Sequence, residues 1–278
     1  EKNIYYGCSE CDERGARNRD LMRMHRKAFL IDINGVLYVG KEPVDGAADA
    51  IDFLREKGYG FRFISNATRA CRETLCEKLG NFGFNISEDD IFSAPVATAK
   101  YIKNSGKNRC FLLTTGDVDK DFENEGIILT EEDPDFVVVG DAGDNFTFEN
   151  LNKAFNLLLE GAELIAMEKD RYWMTAEGLA LSAGPFVAAL EYATGNAAAV
   201  VGKPSEAFFR LALEDMCSHP GETTVVGDDI FTDIGGAKSF GMEGILVKTG
   251  KYREDVVGES GIKPDEILDS IAGLREYI

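Results

Sequence analysis

The stretch that decides the fold is Phe29-Leu30-Ile31-Asp32-Ile33-Asn34-Gly35-Val36-Leu37-Tyr38. A short apolar run ends in an aspartate, and a glycine soon afterwards lets the backbone turn sharply. Buried strands of parallel sheets have such continuous apolar runs, and ligands bind beyond their carboxyl ends. Asp32 therefore lies where chemistry is usually performed. Taken alone, however, an aspartate in this position more often satisfies the N–H groups of a loop.

The chain continues as an alternation of apolar strands and amphipathic helices. After the opening strand, Ala47, Ile51 and Leu54 recur at helical spacing. Strand and helix alternate again further along the chain, and a closing helix is predicted within Pro264–Tyr277. This rhythm is typical of an α/β fold, in which crossover helices connect the strands of a parallel sheet.

The same alternation predicts how the chain is divided into domains. Residues 27–93 and 196–278 are expected to form a doubly wound, Rossmann-like core with a parallel sheet. An α/β block of residues 94–195 is inserted between them as a second domain. Residues 1–26 are polar and lack apolar periodicity, so we predict a loosely held N-terminal extension whose role cannot be inferred.

The composition limits the range of partners. Of the 278 residues, 44% are hydrophobic and 28% are charged, as in a globular protein, and the net charge is −19. A surface this acidic repels nucleic acid and anionic membranes, so we expect neither as a partner. The sequence has no apolar run of membrane-spanning length and no secretory signal, and we expect a cytoplasmic location. A site for an anionic substrate would need a cation nearby.

Four predicted strands each end in a polar side chain of a complementary kind. These side chains are Asp32, Ser65, Lys203 and Asp228. In one parallel sheet their strand ends would share one edge, which gathers the four groups. Magnesium takes one or two carboxylates together with a substrate phosphate, and a serine and a lysine can hold the phosphate oxygens. The four groups therefore predict a magnesium-dependent site for phosphates.

Each of these motifs also has an ordinary structural explanation. Lys203-Pro204 could be a plain turn, and Gly227-Asp228-Asp229 could be a solvated turn. The Ser65-Asn66 pair is weak evidence by itself. The four motifs together, each after an apolar strand, favour the functional interpretation.

The four motifs, written D-x-N-G-V-L, I-S-N, V-G-K-P and G-D-D-x-x-x-D, resemble those of the haloacid dehalogenase superfamily. The inserted block resembles the large C2 cap of its subfamily IIA, and the resemblance covers about residues 27–255. It implies a phosphatase that acts through an aspartyl-phosphate, with magnesium as the cofactor. It also allows a homodimer formed through the cap.

The resemblance assigns roles to Asn34 and to the acidic residues of the motifs. Asp32 would be the nucleophile and a magnesium ligand, and Asn34 would bind magnesium through its backbone carbonyl. Asp228 would complete the set of ligands. Asp229 and Asp233 would support these ligands from outside the inner shell.

The resemblance also assigns the residues that handle the phosphoryl group. Ser65 and Asn66 would bind it, and Lys203 would both bind and stabilise it during catalysis. Contacts from the cap to the substrate are expected around residues 168–172 and in Ala176–Leu181. The alternative for these cap segments is an ordinary charged surface turn.

One position departs from the superfamily pattern. Most of its phosphatases have a second aspartate, the general acid and base, where this chain has Asn34. An amide cannot carry the catalytic proton, and such a proton transfer is worth about 10²–10⁴-fold in rate. The rate should fall least for substrates with good leaving groups. We therefore expect phosphorylated small molecules or phospho-amino acids, such as phosphoramidates and pyrophosphate.

Two other functions remain open at this stage. Asn34 would also fit a catalytically weak protein that binds phosphate and magnesium in a regulatory role. Hydrolysis of carbon–halogen bonds uses an aspartate nucleophile as well, but it needs no magnesium. The complete set of Asp228, Asp229 and Asp233 argues against that reaction.

Overall fold

In the computed structural model, the opening apolar stretch forms a fully buried strand, Ala28–Asp32. The structure describes residues 28–175 and 178–278. The extension predicted for residues 1–26 lies outside the described residues, as do Ala176 and Glu177. Within the described part, no helix combines the length and the apolar character that crossing a membrane requires.

Strands and helices alternate along the chain, as the sequence predicts. The strands are β1 (Ala28–Asp32), β2 (Tyr38–Val39), β3 (Glu42–Pro43), β4 (Gly60–Ser65), β5 (Ile91–Ser93), β6 (Arg109–Leu113), β7 (Ile128–Leu129), β8 (Phe136–Val139), β9 (Glu163–Ala166), β10 (Tyr172–Thr175), β11 (Gly178–Leu181), β12 (Ala199–Val200), β13 (Thr223–Gly227), β14 (Glu243–Val247) and β15 (Glu266–Leu268). The helices are α1 (Ala47–Glu56), α2 (Arg72–Asn81), α3 (Ala94–Asn104), α4 (Asp119–Asn124), α5 (Phe148–Leu159), α6 (Gly184–Thr194), α7 (Glu206–Met216), α8 (Gly236–Ser239), α9 (Glu254–Ser260) and α10 (Leu274–Tyr277).

The described chain forms two compact units. The first comprises residues 28–64 and 209–278, and the second comprises residues 65–208. The second unit contains all of the block that the sequence predicts as an insertion. The domain boundaries expected near residues 93 and 196 stay a prediction.

The first unit is built on parallel strands in the order β15-β14-β13-β1-β4. β1 and β13 are buried along their whole length because both faces of the sheet are covered, which explains their continuous apolar runs. Ile31 pairs with Val226, so Asp32 and Gly227 end these two strands side by side. The carboxyl ends of the central strands therefore bring Asp32 next to the loop that begins with Asp228.

The second unit has its own parallel sheet, in the order β12-β9-β8-β6-β7. An apolar core lies between this sheet and its helices, with Val137, Ala154 and Val187 almost fully buried. An antiparallel hairpin of β10 and β11 is added to this unit. The predicted doubly wound α/β fold with an α/β insertion is confirmed.

Two strand segments are absent from the sequence prediction. The closing helix predicted within Pro264–Tyr277 is present as Leu274–Tyr277, but residues Glu266–Leu268 of the same stretch form the edge strand β15. β15 pairs with β14, so this segment gains a ladder of backbone hydrogen bonds that its short sequence pattern does not reveal. The hairpin of β10 and β11 was also missed, because strands of four residues are too short for a reliable period.

Candidate active site

Three buried aspartates meet at the edge of the sheet in the first unit. Asp32, Asp228 and Asp233 each place a carboxylate oxygen within 4.8 Å of the others, and they are 7%, 3% and 1% exposed. Asp32 ends β1, and Asp228 directly follows β13. The structure therefore brings the predicted nucleophile and the predicted metal ligand together, and it adds Asp233 to the same cluster.

Asp233 reaches this cluster through a turn of π-helix. The side chain of Asp229 accepts hydrogen bonds from the backbone N–H groups of Phe231 (2.9 Å) and Thr232 (3.1 Å), which caps the helical turn Ile230–Gly235. The wide turn points Asp233 back toward β13, where its Oδ2 atom accepts the Asp229 N–H at 3.2 Å. Asp229 itself is thus engaged in the turn.

The loop after β14 encloses Asp228. The backbone N–H of Lys251 donates to Asp228 Oδ2 at 2.7 Å, and the Thr249 hydroxyl donates to the carbonyl of Gly35. Gly35 and Gly250 have φ values of +95° and +62°, and a Cβ atom on either would collide with the Asp228 carboxylate. The two loops can close around this carboxylate only because both positions are glycine.

Burial and charge repulsion act together on Asp228. Its removal from water, followed by the nearby charges of Asp32 and Asp233, raises the pKa of Asp228 to about 8. The charges of Asp32 and Asp233 thus disfavour an ionised Asp228, and a bound cation would relieve this repulsion. The cluster therefore has the character of a cation site.

Asp229 shows the opposite behaviour although it is also shielded from water. Burial alone would raise its pKa, but the charge of Lys251 and the hydrogen bonds from Thr232 and Phe231 outweigh burial and lower it. Lys251 Nζ lies 3.1 Å from Asp229 Oδ2. Asp229 is therefore an ionised group that is paired with Lys251.

The donor set of the cluster fits magnesium. All three side chains offer hard oxygen ligands, and Mg²⁺ in proteins is usually bound by one or two carboxylates with water and substrate phosphate. Asp32 and Asp228 would hold the ion, and the backbone carbonyl of Asn34 would be a third ligand. The side chain of Asn34 is exposed on the turn after β1, where the Gly35 N–H donates to the Tyr38 carbonyl at 2.8 Å.

The predicted phosphoryl-binding residues lie in the second unit. Ser65 is 5% exposed, and its hydroxyl oxygen accepts the Ala67 N–H at 3.1 Å, which leaves the hydroxyl proton for another acceptor. Asn66 is bonded through both ends of its amide to the backbone of Lys203, at 2.8 and 2.9 Å. Asn66 thus fixes the position of Lys203, whose side chain is 5% exposed.

The segments predicted as cap contacts are engaged in contacts within the second unit. Lys169 pairs with Glu191 at 2.7 Å, so its ammonium group is occupied. Glu168 is buried and accepts hydrogen bonds from the Ser182 hydroxyl (2.7 Å) and the Ala183 N–H (2.9 Å). Tyr172 is largely exposed. Contact of this region with a substrate stays a prediction.

Sequence reasoning gave no role to Thr249, Gly250 and Lys251, which surround Asp228. They follow β14, and their partners lie in other loops: Thr249 bonds the Gly35 carbonyl and Lys251 bonds the Asp228 carboxylate. Gly250 has a positive φ, and a glycine shortly after an apolar strand is a local sign of a tight turn.

Comparison with protein families identifies the chain. One model, described as haloacid dehalogenase-like hydrolase, matches residues 29–128, and a second, HAD-hydrolase-like, matches residues 200–274. The first match includes Asp32 and Ser65, and the second includes Lys203 and Asp228. The chain belongs to the haloacid dehalogenase-like hydrolases.

Individual relatives narrow the class further. Haloacid dehalogenase-like hydrolase domain-containing protein 2 of Bos taurus is 44% identical over 242 residues, which is 87% of this chain and 91% of the relative. Phospholysine phosphohistidine inorganic pyrophosphate phosphatase of Xenopus laevis is 39% identical, over 88% and 92%. The solved p-nitrophenyl phosphatase of Archaeoglobus fulgidus aligns with a TM-score of 0.85 at 30% identity, over 91% and 99%. The chain is a phosphatase of this superfamily.

The raised pKa of Asp228 predicts how stability depends on pH without metal. The folded state keeps a proton to about pH 8 that the unfolded chain loses near pH 4, so the free energy of unfolding should fall between these values. In EDTA at pH 8.5, Asp228→Asn should raise Tm, by about 2–4 °C for each kcal/mol of repulsion removed. Thermal unfolding at pH 5.5 and 8.5 measures the effect.

Asp229→Asn is the matched control, because it removes the same charge from the paired neighbour. It should lower Tm at pH 8.5, since Lys251 loses its partner. Added Mg²⁺ should raise Tm in the wild type and not in Asp228→Asn. A lower Tm of Asp228→Asn in EDTA at pH 8.5 would contradict the repulsion.

The Thr249 hydroxyl is expected to stabilise the turn that carries Asn34. Thr249→Val leaves the Gly35 carbonyl without this donor, which should cost about 1–3 kcal/mol and weaken Mg²⁺ binding. Thr249→Ser keeps the hydroxyl and should behave like the wild type. Calorimetric titration with Mg²⁺ tests both variants, and equal affinity in Thr249→Val would show that the hydroxyl is dispensable.

Proposed function

We propose that this protein is a magnesium-dependent phosphatase that forms an aspartyl-phosphate on Asp32. Its substrates would be phosphorylated small molecules or phospho-amino acids with good leaving groups, such as phosphoramidates and pyrophosphate. The observation that carries the proposal is the buried cluster of Asp32, Asp228 and Asp233 at the carboxyl ends of β1 and β13. Asp32 there offers a carboxylate that is fixed by the strand and shielded from water.

In the proposed reaction, Asp32 attacks the phosphorus atom while the bond to the leaving group breaks. The Ser65 hydroxyl donates a hydrogen bond to a phosphoryl oxygen, and the Lys203 ammonium provides positive charge. Asn66 supports both roles by fixing the Lys203 backbone. A bound magnesium ion would neutralise the carboxylates and stabilise the charge on the phosphoryl oxygens. Water then hydrolyses the aspartyl-phosphate and releases phosphate.

Asn34 determines which leaving groups can depart. Its amide cannot give a proton to the leaving group or take one from water, so the reaction lacks the general acid and base of most phosphatases of the superfamily. Imidazole and phosphate leave readily without such help. The name of the Xenopus relative, a phosphatase of phospholysine, phosphohistidine and pyrophosphate, supports this substrate range.

The proposal also covers the location and the assembly of the protein. The protein would be cytoplasmic and would form a homodimer through the inserted cap. Asn34 also supports a second candidate, a regulatory protein that binds magnesium and phosphate with little turnover. Turnover separates the two candidates.

Phosphate release tests the proposal directly. The wild type should release phosphate from phosphohistidine, pyrophosphate and p-nitrophenyl phosphate with Mg²⁺ and not with EDTA, and a sugar phosphate should be a poor substrate. Asp32→Asn should abolish release from all of them, because an amide is not a nucleophile here. Turnover by Asp32→Asn would remove the nucleophile assignment, and no turnover by the wild type would favour the regulatory protein.

Restoring an acid at position 34 should broaden the substrate range. In Asn34→Asp, we expect kcat/KM for sugar phosphates to rise by about 10²–10⁴-fold, because a carboxyl group can protonate the leaving alkoxide. Values for pyrophosphate should change much less. Asn34→Ser, which adds no acid, is the control, and an equal gain in both variants would contradict the role given to the carboxyl group.

A further inference from the structure

The residues that follow the phosphoryl-binding pair are held tightly within the second unit. The Thr114 hydroxyl donates to the Thr68 carbonyl at 2.8 Å, and the Thr68 hydroxyl accepts the Asp141 N–H at 2.8 Å. The backbone N–H of Cys71 donates to Asp117 at 2.9 Å. The segment from Ser65 to Cys71 is therefore a fixed part of this unit, and it carries one cation in its middle, Arg69.

The guanidinium of Arg69 is held on two sides. Its Nη2 atom donates to Asp141 Oδ1 at 2.8 Å, and its central carbon lies 5.2 Å from the centre of the Trp173 ring. Asp141 is 8% exposed and also accepts the Gly143 N–H at 3.1 Å. A cation–π contact combined with a buried carboxylate partner fixes a planar guanidinium before any ligand arrives.

Arg69 still has donors to offer. The bond to Asp141 uses one of five guanidinium N–H groups, and 42% of the side chain is exposed. Trp173 is 40% exposed beside it. The arrangement is suited to a planar or bidentate anion.

Arg69 lies close in sequence to the residue that would bind the transferred phosphoryl group. Ser65, which would hold the transferred phosphoryl group, is only four residues earlier in the same fixed segment, so Arg69 lies within about 14 Å of it. A pyrophosphate substrate extends beyond the transferred group by a second phosphate. In a chain with a net charge of −19, such a dianion needs a dedicated cation.

We propose that Arg69 and Trp173 form the subsite for the leaving group and select substrates in which this group carries an anionic oxygen, as in pyrophosphate. The inference rests on the proposed phosphatase function. Arg69 would donate to the leaving phosphate, and Trp173 would keep the guanidinium in place. A leaving group without an anionic oxygen, such as imidazole, would gain nothing from Arg69.

Kinetics with matched substrates test the subsite. Arg69→Met should raise KM for pyrophosphate by roughly 10- to 100-fold, the range expected for a lost hydrogen bond between charged groups, and change KM for phosphoimidazole by less than about twofold. Arg69→Lys should recover part of the loss because it keeps the charge. Arg210→Met is the matched control, since Arg210 is a half-buried arginine in another ion pair, and it should change neither KM.

Trp173 also provides a measurement that needs no turnover, because it is the one tryptophan of the sequence. Titration with imidodiphosphate in the presence of Mg²⁺ should change the Trp173 fluorescence until the signal saturates. Inorganic phosphate should cause little change. In Arg69→Met, the imidodiphosphate concentration at half-saturation should be at least about tenfold higher.

The outcomes separate this inference from the proposed function. Equal KM changes for pyrophosphate and phosphoimidazole in a variant with normal Tm would mean that Arg69 only positions the segment, and the subsite would be wrong. Unchanged imidodiphosphate binding in Arg69→Met would overturn it as well. If the wild type shows no turnover, the phosphatase proposal is wrong. Weaker imidodiphosphate binding in Arg69→Met would then still support the subsite.

Discussion

Mutual repulsion of three buried carboxylates is the constraint on which this structure depends. Asp32, Asp228 and Asp233 are brought within 4.8 Å of one another by strand ends and a π-helical turn. In the first unit, the Lys251 N–H and two glycine turns close around the Asp228 carboxylate. Strain of this kind is typical of functional sites, where a ligand relieves it.

The two units contribute different chemistry to the proposed reaction. The first would supply negative charge and a nucleophile, whereas the second would supply Ser65, Lys203 and the guanidinium of Arg69. Each unit stabilises its groups internally, through Asp229 and Lys251 in one and through Asn66 in the other. If the proposal holds, a protein with a net charge of −19 would place cations beside its anionic substrate in this way.

The sequence predicts those parts of the fold and site that are encoded locally. An apolar run followed by a carboxylate identifies both Asp32 and Asp228, since strand and polar end lie within ten residues. The support from Thr249 could not be predicted, because its partner Gly35 is 214 residues away. Strand Glu266–Leu268 was also missed, since pairing with a neighbouring strand rather than periodicity determines it.

The central claim is that Asp32 carries the phosphoryl group during turnover. The most direct measurement is to quench the enzyme with acid during turnover of pyrophosphate and Mg²⁺, reduce it with borohydride, and map the product by mass spectrometry. An acyl phosphate on Asp32 would be reduced to homoserine at position 32, and this product should require both substrate and metal. Turnover without modification at position 32, or with modification of another carboxylate, would contradict the account.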